Sequence, residues 1–427
     1  MFNLENPIGN LRFLLLDFLG EVNINKVLKQ MRAQQYYSKA HLHALSEQRI
    51  THLFKHATSS TEYYKYATSY KELDILTKQN VRDHFKEMIS NAYPKKLFLK
   101  STSGSTGMPL QYFATSNARS NLWAGIILSW EVMGYKLGDK VAFIAGSGLS
   151  NVKSNIKHGI FYKLLNVDIY SAFTLNDSDI LNYVQLLKKR KTKIIYGYAS
   201  ALDKMATYIN KYGPFYFDDL KGIVCTSEML TPAMRENIQR AFHTNVFNQY
   251  GCNEAGVSAF ECEHHHLHLI STRCYYEVDE SGNLIATDLS NEGFPMIKYL
   301  TGDIVELSDE TTCSCGRNFP ILKNIIGRAG DIVIDATKKT IHCAFFQQLF
   351  RNDKSIIQFQ ISFDKNDINI YLNVDGSIRD NVYYNKYLNE IKKRLIFDTY
   401  NMYFNSPFMK SENAKHRHVI NLSLQGA

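Results

Sequence analysis

The 427-residue sequence lacks the patterns of secreted and membrane-spanning proteins. Its seven cysteines are an odd number without disulfide-style spacing, which argues for a reducing compartment. The N-terminus shows no signal-peptide pattern, and the apolar run Phe13–Leu16 is broken by Asp17. We therefore expect a cytoplasmic protein without a transmembrane segment. A helix at this run would either pack on its own domain, which we favour, or touch a membrane surface.

The sequence also lacks internal repeats and nucleic-acid-binding motifs, so no nucleic acid partner is expected. The formal charge of +8 is a mild excess for this length and fits an anionic substrate such as a nucleotide. Its basic residues are scattered, and short runs such as residues 188–191 are typical of solvated helix ends. Because one hydrophobic core stops growing at roughly 250–300 residues, we expect two domains.

What the sequence does contain is an alternation of strand-like and helix-like segments. Residues 1–95 have a helical, polar pattern without a chemical motif. Further on, helical periodicities separate four short apolar runs: Val141–Ala145, Ile194–Tyr196, Gly222–Cys225 and Val246–Tyr250. This alternation predicts an α/β fold with mainly parallel sheets. Beyond residues 328–335, strict alternation over 368–374 and helical spacing over 388–395 predict a small α+β domain.

A segment rich in glycine, serine and threonine is the first chemical motif. Seven of the nine residues from Ser101 to Pro109 are of these types, and they are Ser101, Thr102, Ser103, Gly104, Ser105, Thr106 and Gly107. Glycines let the backbone approach a phosphate, and hydroxyl and N–H groups bind its oxygens. A flexible linker is the alternative. The segment is not a P-loop, because the Gly-Lys-Ser/Thr ending is missing.

With four later segments in the same order, this loop resembles the acyl-adenylate-forming superfamily, which includes acyl-CoA synthetases, firefly luciferase and peptide-synthetase adenylation domains. The later segments are Tyr250-Gly-Cys-Asn-Glu254, Thr301-Gly-Asp303, Gly327-Arg-Ala-Gly-Asp331 and Ala414-Lys-His-Arg417. The short chain, the segment 226–228 and a Cys-x-Cys pair are most similar to the phenylacetate–CoA ligase branch, which includes proteins named for coenzyme F390 synthetase and for capsular polysaccharide biosynthesis. The resemblance implies an N-terminal domain over 1–327 that binds ATP and a carboxylate. A small, mobile C-terminal lid domain would span 328–427.

The implied reaction is ATP-dependent activation of a carboxylic acid to an acyl-adenylate, with release of pyrophosphate and transfer of the acyl group to CoA. One alternative is an amine or sugar acceptor in surface polysaccharide biosynthesis. Another is a nucleotide-binding relative without catalysis. In all three the acid itself stays unidentified.

The resemblance also implies roles for single residues. Glu254 would hold Mg²⁺, which favours phosphate oxygens and one or two carboxylates. Asp303 would accept hydrogen bonds from the ribose hydroxyls, and Arg328 would contact ribose or phosphate. The expected nucleotide-binding set also includes the loop residues above, together with Glu228, Tyr250, Gly251 and Asn253.

Lys415 is implied to be the catalytic lysine that bridges the carboxylate and the α-phosphate, a role that suits a flexible point charge. Family members usually have glycine where this chain has Ala414. At the hinge, Gly330 stands in place of the first acid, and Asp331 supplies the second. Glycine permits the backbone rotation that a hinge needs, so domain rotation is still expected.

The carboxylate pocket is expected at the carboxyl ends of the parallel strands, near residues 145–148, 196–198 and 227–228. Tyr196, Tyr198 and Phe173 would either line this pocket or pack in the core.

A group of cysteines and histidines predicts a structural zinc site. Cys313-Ser-Cys315 is a close thiol pair, and Cys262 lies upstream in a run that contains His264 and His268. Such ligands suit zinc, and the full set would be the three cysteines with either histidine. Buried cysteines beside a solvated histidine run are the alternative. His265 and His266 are expected to be exposed, and the other four cysteines, at 225, 252, 274 and 343, to lie in the core.

Overall fold

The structure is a computed structural model that describes residues 6–102, 110–146, 156–172, 175–310, 312–328, 332–350, 353, 355–375, 381–409 and 417–424. None of the helices in this part of the chain combines the length and the apolar character needed to cross a bilayer.

The N-terminal region is helical, as predicted. Its helices are α1 (Pro7–Leu19), α2 (Ile24–Gln34), α3 (Lys39–Ser60) and α4 (Lys78–Asp83). Polar N-caps fix where α1, α3 and α4 begin, because the cap side chain accepts a backbone N–H that the first turn leaves unpaired. Asn6 caps α1 in this way, and Thr77 forms a reciprocal capping box with Asn80 at α4. A hairpin of β1 (Phe98–Ser101) and β2 (Gln111–Ala114) follows, and then α5 (Ser116–Glu131).

The middle of the chain forms the predicted parallel sheet. Its strands are β3 (Val141–Ala145), β4 (Val167–Ser171), β5 (Ile194–Tyr198), β6 (Gly222–Thr226) and β7 (Val246–Cys252), paired in the order β4-β3-β5-β6-β7. Between them lie α6 (Ile156–Leu164), α7 (Asp177–Lys189), α8 (Ala199–Tyr212) and α9 (Pro232–Phe242). The four predicted strands are confirmed. The apolar faces of α8 and α9 are buried, because they cover the sheet.

The same sheet continues beyond β7 with antiparallel strands. They are β8 (Val257–Glu261), β9 (Leu267–Leu269), β10 (Cys274–Val278), β11 (Asn283–Asp288), β12 (Tyr299–Leu307) and β13 (Ile321–Arg328), in the order β7-β8-β9-β13-β12-β11-β10. The sequence did not predict this extension. It brings the ends of β7, β12 and β13 together, and this is where the candidate site lies.

The C-terminal part has its own sheet and core, as predicted for a small α+β domain. Its elements are β14 (Ile332–Ile334), β15 (Thr340–His342), α10 (Cys343–Phe350), β16 (Ile356–Phe363), β17 (Asp367–Val374), α11 (Asn381–Lys392), β18 (Thr399–Phe404) and β19 (Val419–Asn421). The four-stranded sheet has the order β18-β17-β16-β19. The last strand of the large sheet ends at Arg328. A domain boundary at 327/328 stays a prediction.

Candidate active site

A buried carboxylate organises the candidate site. Asp303 lies in β12, is 5% exposed and faces Arg328 of β13 in the antiparallel register. The Tyr250 hydroxyl donates to Asp303 Oδ2 at 2.6 Å, and Arg328 Nε lies 2.9 Å from Asp303 Oδ1. Both carboxylate oxygens are therefore held in place. We call these three residues the Asp303 cluster.

The residues of the Asp303 cluster shift one another's pKa values. Burial and the Asp303 carboxylate raise the pKa of Tyr250 well above its usual value, so its hydroxyl stays a neutral donor. Burial opposes the charge of Arg328, but Asp303 and the neighbouring groups Cys252, Glu254 and Tyr250 together outweigh it and raise the pKa of the guanidinium. The Arg328 side chain is still 46% exposed, so part of this cation is accessible to solvent.

Glu254 lies beside the Asp303 cluster in a 3₁₀ turn directly after β7. It is half-buried, and Gly251 and Asn253, which precede it in the chain, are exposed. Its negative charge, after burial, raises the pKa values of Tyr112 on β2 and Tyr299 on β12. Glu254 therefore lies between the β1–β2 hairpin and the strand that carries Asp303.

The two ends of the glycine-rich segment lie in and next to the β1–β2 hairpin. Ser101 ends β1 and Thr102 follows it, and both are described. Thr102 N–H donates to Leu110 O at 2.9 Å, and Leu110 N–H donates to Thr102 Oγ1 at 3.0 Å. Ser103, Gly104, Ser105, Thr106 and Gly107 lie outside the described residues. The chain on both sides of them is anchored by these two hydrogen bonds.

Glu228 has a structural partner that the sequence did not reveal. It follows Ser227, whose φ is +66°, at the carboxyl end of β6. Its Oε2 accepts the backbone N–H of Ser200 at 2.9 Å, in the first turn of α8. A carboxylate there stabilises the helix start. The position at a strand end is the one expected, and contact with nucleotide stays a prediction.

The proposed carboxylate pocket is described only in part. Tyr196 packs in an aromatic group, with ring centroids 4.9 Å from Phe143 and 5.9 Å from Trp130. This packing favours the core alternative for Tyr196. Tyr198 lies at the end of β5. Burial, and to a smaller extent the negative charge of Glu228, raises the pKa of its hydroxyl. Phe173 and Gly148 lie outside the described residues.

The structure brings the predicted metal ligands together. The thiols of Cys262, Cys313 and Cys315 and a ring nitrogen of His268 all lie within 4.8 Å of one another. We call these four residues the cysteine cluster. His268 Nε2 lies 3.4 Å from Cys315 Sγ, while its Nδ1 lies 3.0 Å from the carbonyl oxygen of Phe319. A carbonyl partner at Nδ1 leaves Nε2 free to bind a metal, which is the usual arrangement of a metal-ligating histidine.

The other histidines of this run lie around the cysteine cluster. His264 contributes only its backbone N–H, which donates to Cys262 Sγ at 3.4 Å. His265 is exposed, as expected. The expectation for His266 needs correction, because its side chain is 37% exposed and its Nδ1 lies 3.2 Å from Cys313 Sγ. The remaining four cysteines are buried, as predicted.

Comparison with known proteins agrees with this geometry. No protein-family profile matches the chain. Protein CapK of Staphylococcus aureus is 24% identical over 425 residues, 92% of this chain and 94% of CapK. Phenylacetate-coenzyme A ligase of Pseudomonas putida is 27% identical over 276 residues, 60% of each chain. The fold matches a crystal structure of 2-hydroxyisobutyryl-CoA ligase in the postadenylation state, with a TM-score of 0.68, 15% identity and 91% of each chain covered.

The chain is therefore similar to CoA ligases in sequence and in fold. Its ordered sequence motifs resemble the acyl-adenylate-forming superfamily, and this likeness agrees with both comparisons. The superfamily's catalytic lysine would be Lys415, which lies outside the described residues together with Ala414, Gly330 and Asp331. Arg417, two residues further on, is described, and its carbonyl oxygen accepts Gln360 Nε2 at 2.9 Å.

Sequence reasoning missed one candidate of this superfamily site. Lys78 begins α4, two residues after Leu76, which pairs with Tyr299 at the start of β12. Burial and then Arg82 lower the pKa of Lys78, and the negative charge of Glu254 opposes them. A cation is thus placed beside Glu254 from a region without any chemical motif. The position of Lys78 becomes apparent in the fold, because the pairing of Leu76 with Tyr299 brings the start of α4 next to β12.

Proposed function

We propose that this chain activates a carboxylic acid with ATP, forms an acyl-adenylate with release of pyrophosphate, and passes the acyl group to CoA. The observation that carries the proposal is the Asp303 cluster, whose oriented carboxylate suits the paired hydroxyls of a ribose. Glu254 and strand β2 of the hairpin lie beside it, where phosphates would follow the ribose.

Adenylation forms a bond between a carboxylate oxygen and the α-phosphorus while the bond to pyrophosphate breaks. Two anions must meet, so charge neutralisation is the main demand on the site. Arg328 is a half-exposed cation whose pKa Glu254 helps to raise, and Lys78 is a second cation that interacts with Glu254. Mg²⁺ held by Glu254 would neutralise phosphate charge, and one carboxylate with phosphate oxygens suits this ion.

The test of this proposal is acid-dependent exchange of pyrophosphate into ATP across a panel of carboxylic acids. We expect exchange with at least one acid, and AMP with pyrophosphate as products. Formation of ADP and phosphate would contradict an adenylating enzyme. Absence of exchange with every acid would favour the nucleotide-binding relative without catalysis.

The acceptor can be tested separately, with adenylate formed in place. CoA is the proposed acceptor, and phenylacetate-coenzyme A ligase of Pseudomonas putida carries CoA in its name. The alternative is an amine or sugar acceptor in surface polysaccharide assembly. The match to CapK over 92% of this chain is the observation that favours it. Release of AMP on addition of CoA supports the first, and release only with amines or sugars supports the second.

We further propose that the cysteine cluster holds a structural zinc ion. Three thiols and one imidazole are a donor set that tetrahedral zinc favours, and four protein ligands leave no position for a catalytic water. Backbone N–H groups of His264 and Arg317 donate to Cys262 and Cys315, which stabilises thiolates. A thiolate site also fits the reducing, cytoplasmic compartment expected from the cysteine pattern.

Metal analysis of protein purified without chelator tests this site. We expect about one zinc per chain, as structural sites bind tightly. His268→Ala and Cys313→Ser should lose the metal and lower the melting temperature. His264→Ala is the matched control and should keep both, because its ring lies outside the cluster. Zinc below about half an equivalent, or loss in His264→Ala alone, would contradict this ligand set.

A further inference from the structure

Helix α1, Pro7–Leu19, exposes an unusual amount of apolar surface. Six large apolar side chains on this helix are between 43% and 80% exposed, and they are Ile8, Leu11, Leu14, Leu15, Phe18 and Leu19. Ile8, Leu11, Leu15 and Phe18 follow the three- and four-residue spacing of one helix face. Single exposed apolar residues are ordinary, but a continuous stripe indicates a binding surface.

The stripe does not result from a loosely attached helix. On the opposite face, Phe13 and Leu16 are fully buried in the core next to α2 and α5. The helix start also fits closely against the loop before β3. A Cβ atom on Gly9 would lie 1.9 Å from the Leu137 carbonyl oxygen, and Asn6 Nδ2 donates to that oxygen at 2.9 Å. The outward face is therefore fixed by packing.

Charge around α1 is mainly positive. Between residues 6 and 40 the chain has five basic and two acidic side chains. Lys26 and Lys29 on the adjoining helix α2 are exposed, and α2 contains no acidic residue. The acid on α1, Asp17, is engaged at the start of α2, where its two oxygens accept the backbone N–H groups of residues 24 and 25. An apolar stripe with adjoining basic charge complements an anionic lipid surface.

We propose that α1 lies in the headgroup region of an anionic membrane and holds the enzyme at its surface. A helix of thirteen residues is about 20 Å long, which is too short to span a bilayer but suits an in-plane position. A second copy of the chain fits less well, because a stable interface takes roughly 20–30 residues a side. The stripe on α1 contains only six exposed apolar residues. This proposal is independent of the reaction that the site catalyses.

Co-sedimentation of the full chain with vesicles tests the proposal. We expect binding to phosphatidylcholine vesicles that contain phosphatidylglycerol, and weaker binding to phosphatidylcholine alone. Leu11→Ser/Leu15→Ser/Phe18→Ser should bind more than about tenfold more weakly, because burial of each side chain contributes about that factor. The matched control is Tyr66→Ser/Tyr216→Ser, which removes side chains of residues 85% and 59% exposed elsewhere and should bind like wild type.

The charge contribution has its own variant. Lys26→Glu/Lys29→Glu should weaken binding to the anionic vesicles at least about fivefold and leave binding to phosphatidylcholine unchanged. Wild-type protein that stays in solution with both vesicles would overturn the proposal. So would a serine variant that binds vesicles like wild type. A wild-type dimer that the serine substitutions convert to a monomer, without vesicle binding, would assign the stripe to a second copy instead.

Discussion

The orientation of Asp303 depends on two neighbours, and substitution can separate their contributions. Asp303→Asn keeps the size of the side chain but places an amide N–H₂ against a donor, Tyr250 or Arg328. We expect exchange activity to fall about 10–100-fold and the KM for ATP to rise, since a charge-assisted hydrogen bond contributes roughly 1.5–3 kcal/mol.

Tyr250→Phe should cost less than Asp303→Asn, because Arg328 still orients the carboxylate. Tyr66→Phe, at an exposed position, is the control and should have no effect. If Asp303→Asn keeps activity within about threefold of wild type at unchanged melting temperature, the Asp303 cluster does not bind the nucleotide.

Sequence patterns predicted the residue types of the site better than their contacts. Asp303 and Arg328 were identified from separate motifs, but their contact depends on the register between β12 and β13. His264 and His268 were equally compatible with the spacing. The short strand β9 distinguishes the two candidates, because it places His268 in a buried position opposite Ile321 of β13. Lys78 lies in a region without a chemical motif.

At the scale of elements, the parallel strands were predictable because both of their faces are buried, which gives continuous apolar runs. Among strands β8 to β13, β12 alternates buried and half-buried positions, whereas β8 and β9 are short and buried throughout although they contain polar residues. Bulges also interrupt the registers of β11, β12 and β13. Such strands leave a weak pattern, since periodicity needs several regular residues to be recognised. The site therefore lies in the half of the sheet that periodicity described least well.

The packing of α8 against α9 contains a buried acid, Asp203, with a consequence for stability. Asn237 Nδ2 donates to Asp203 Oδ1 at 2.8 Å, and burial raises the pKa of Asp203 to about 6. A raised pKa means that the folded state binds the proton more tightly than the unfolded chain. The stabilisation from protonation is thus full below about pH 4 and is lost as the pH rises through about 6.

Asp203→Asn should remove this pH dependence, because asparagine stays neutral and can still accept from Asn237. We expect the variant to be more stable than wild type by about 1–3 kcal/mol at pH 7.5 and nearly equal below about pH 4. Denaturant unfolding across this range measures the difference. Asp177→Asn is the control, because Asp177 lies in the first turn of α7 and not at the interface between two helices. Equal pH dependence in wild type and Asp203→Asn would contradict the assignment.

At the scale of the whole molecule, the N-terminal and C-terminal parts have separate cores, and a hydrogen bond joins α9's cap to β16. Thr231 Oγ1 donates to Ile357 O at 3.2 Å. Asp375 beyond β17 also contributes to the raised pKa of Asp203. Ile357 also packs against the apolar core of α8 and α9, so the contacts between the two parts are both polar and apolar. Relative motion of two parts is the usual expectation unless a large apolar interface joins them. Domain rotation about Gly330 stays a prediction.

Rotation has a testable consequence for the two half-reactions. Lys415 would face the α-phosphate only in the adenylating pose, so Lys415→Ala should slow adenylate formation about 100–1000-fold, the usual cost of losing one charge-stabilising donor. The same variant, given preformed acyl-adenylate, should still transfer the acyl group, because the transfer pose turns this lysine away. Gly330→Pro should impair whichever half-reaction its fixed backbone excludes.

Single-turnover rates of both half-reactions in each variant measure this separation. Lys393→Ala is the control, because Lys393 also lies in the C-terminal part, is 68% exposed and pairs only with Glu390 among the ion pairs of the described residues. It should leave both rates unchanged. If Lys415→Ala keeps adenylation within about threefold of wild type, Lys415 is not the catalytic lysine, since the loss would fall far below that of a single donor. If Lys415→Ala slows both half-reactions equally, the lysine serves both and the two poses do not alternate as proposed. Only unequal loss, confined to adenylation, fits a C-terminal part that rotates between two poses.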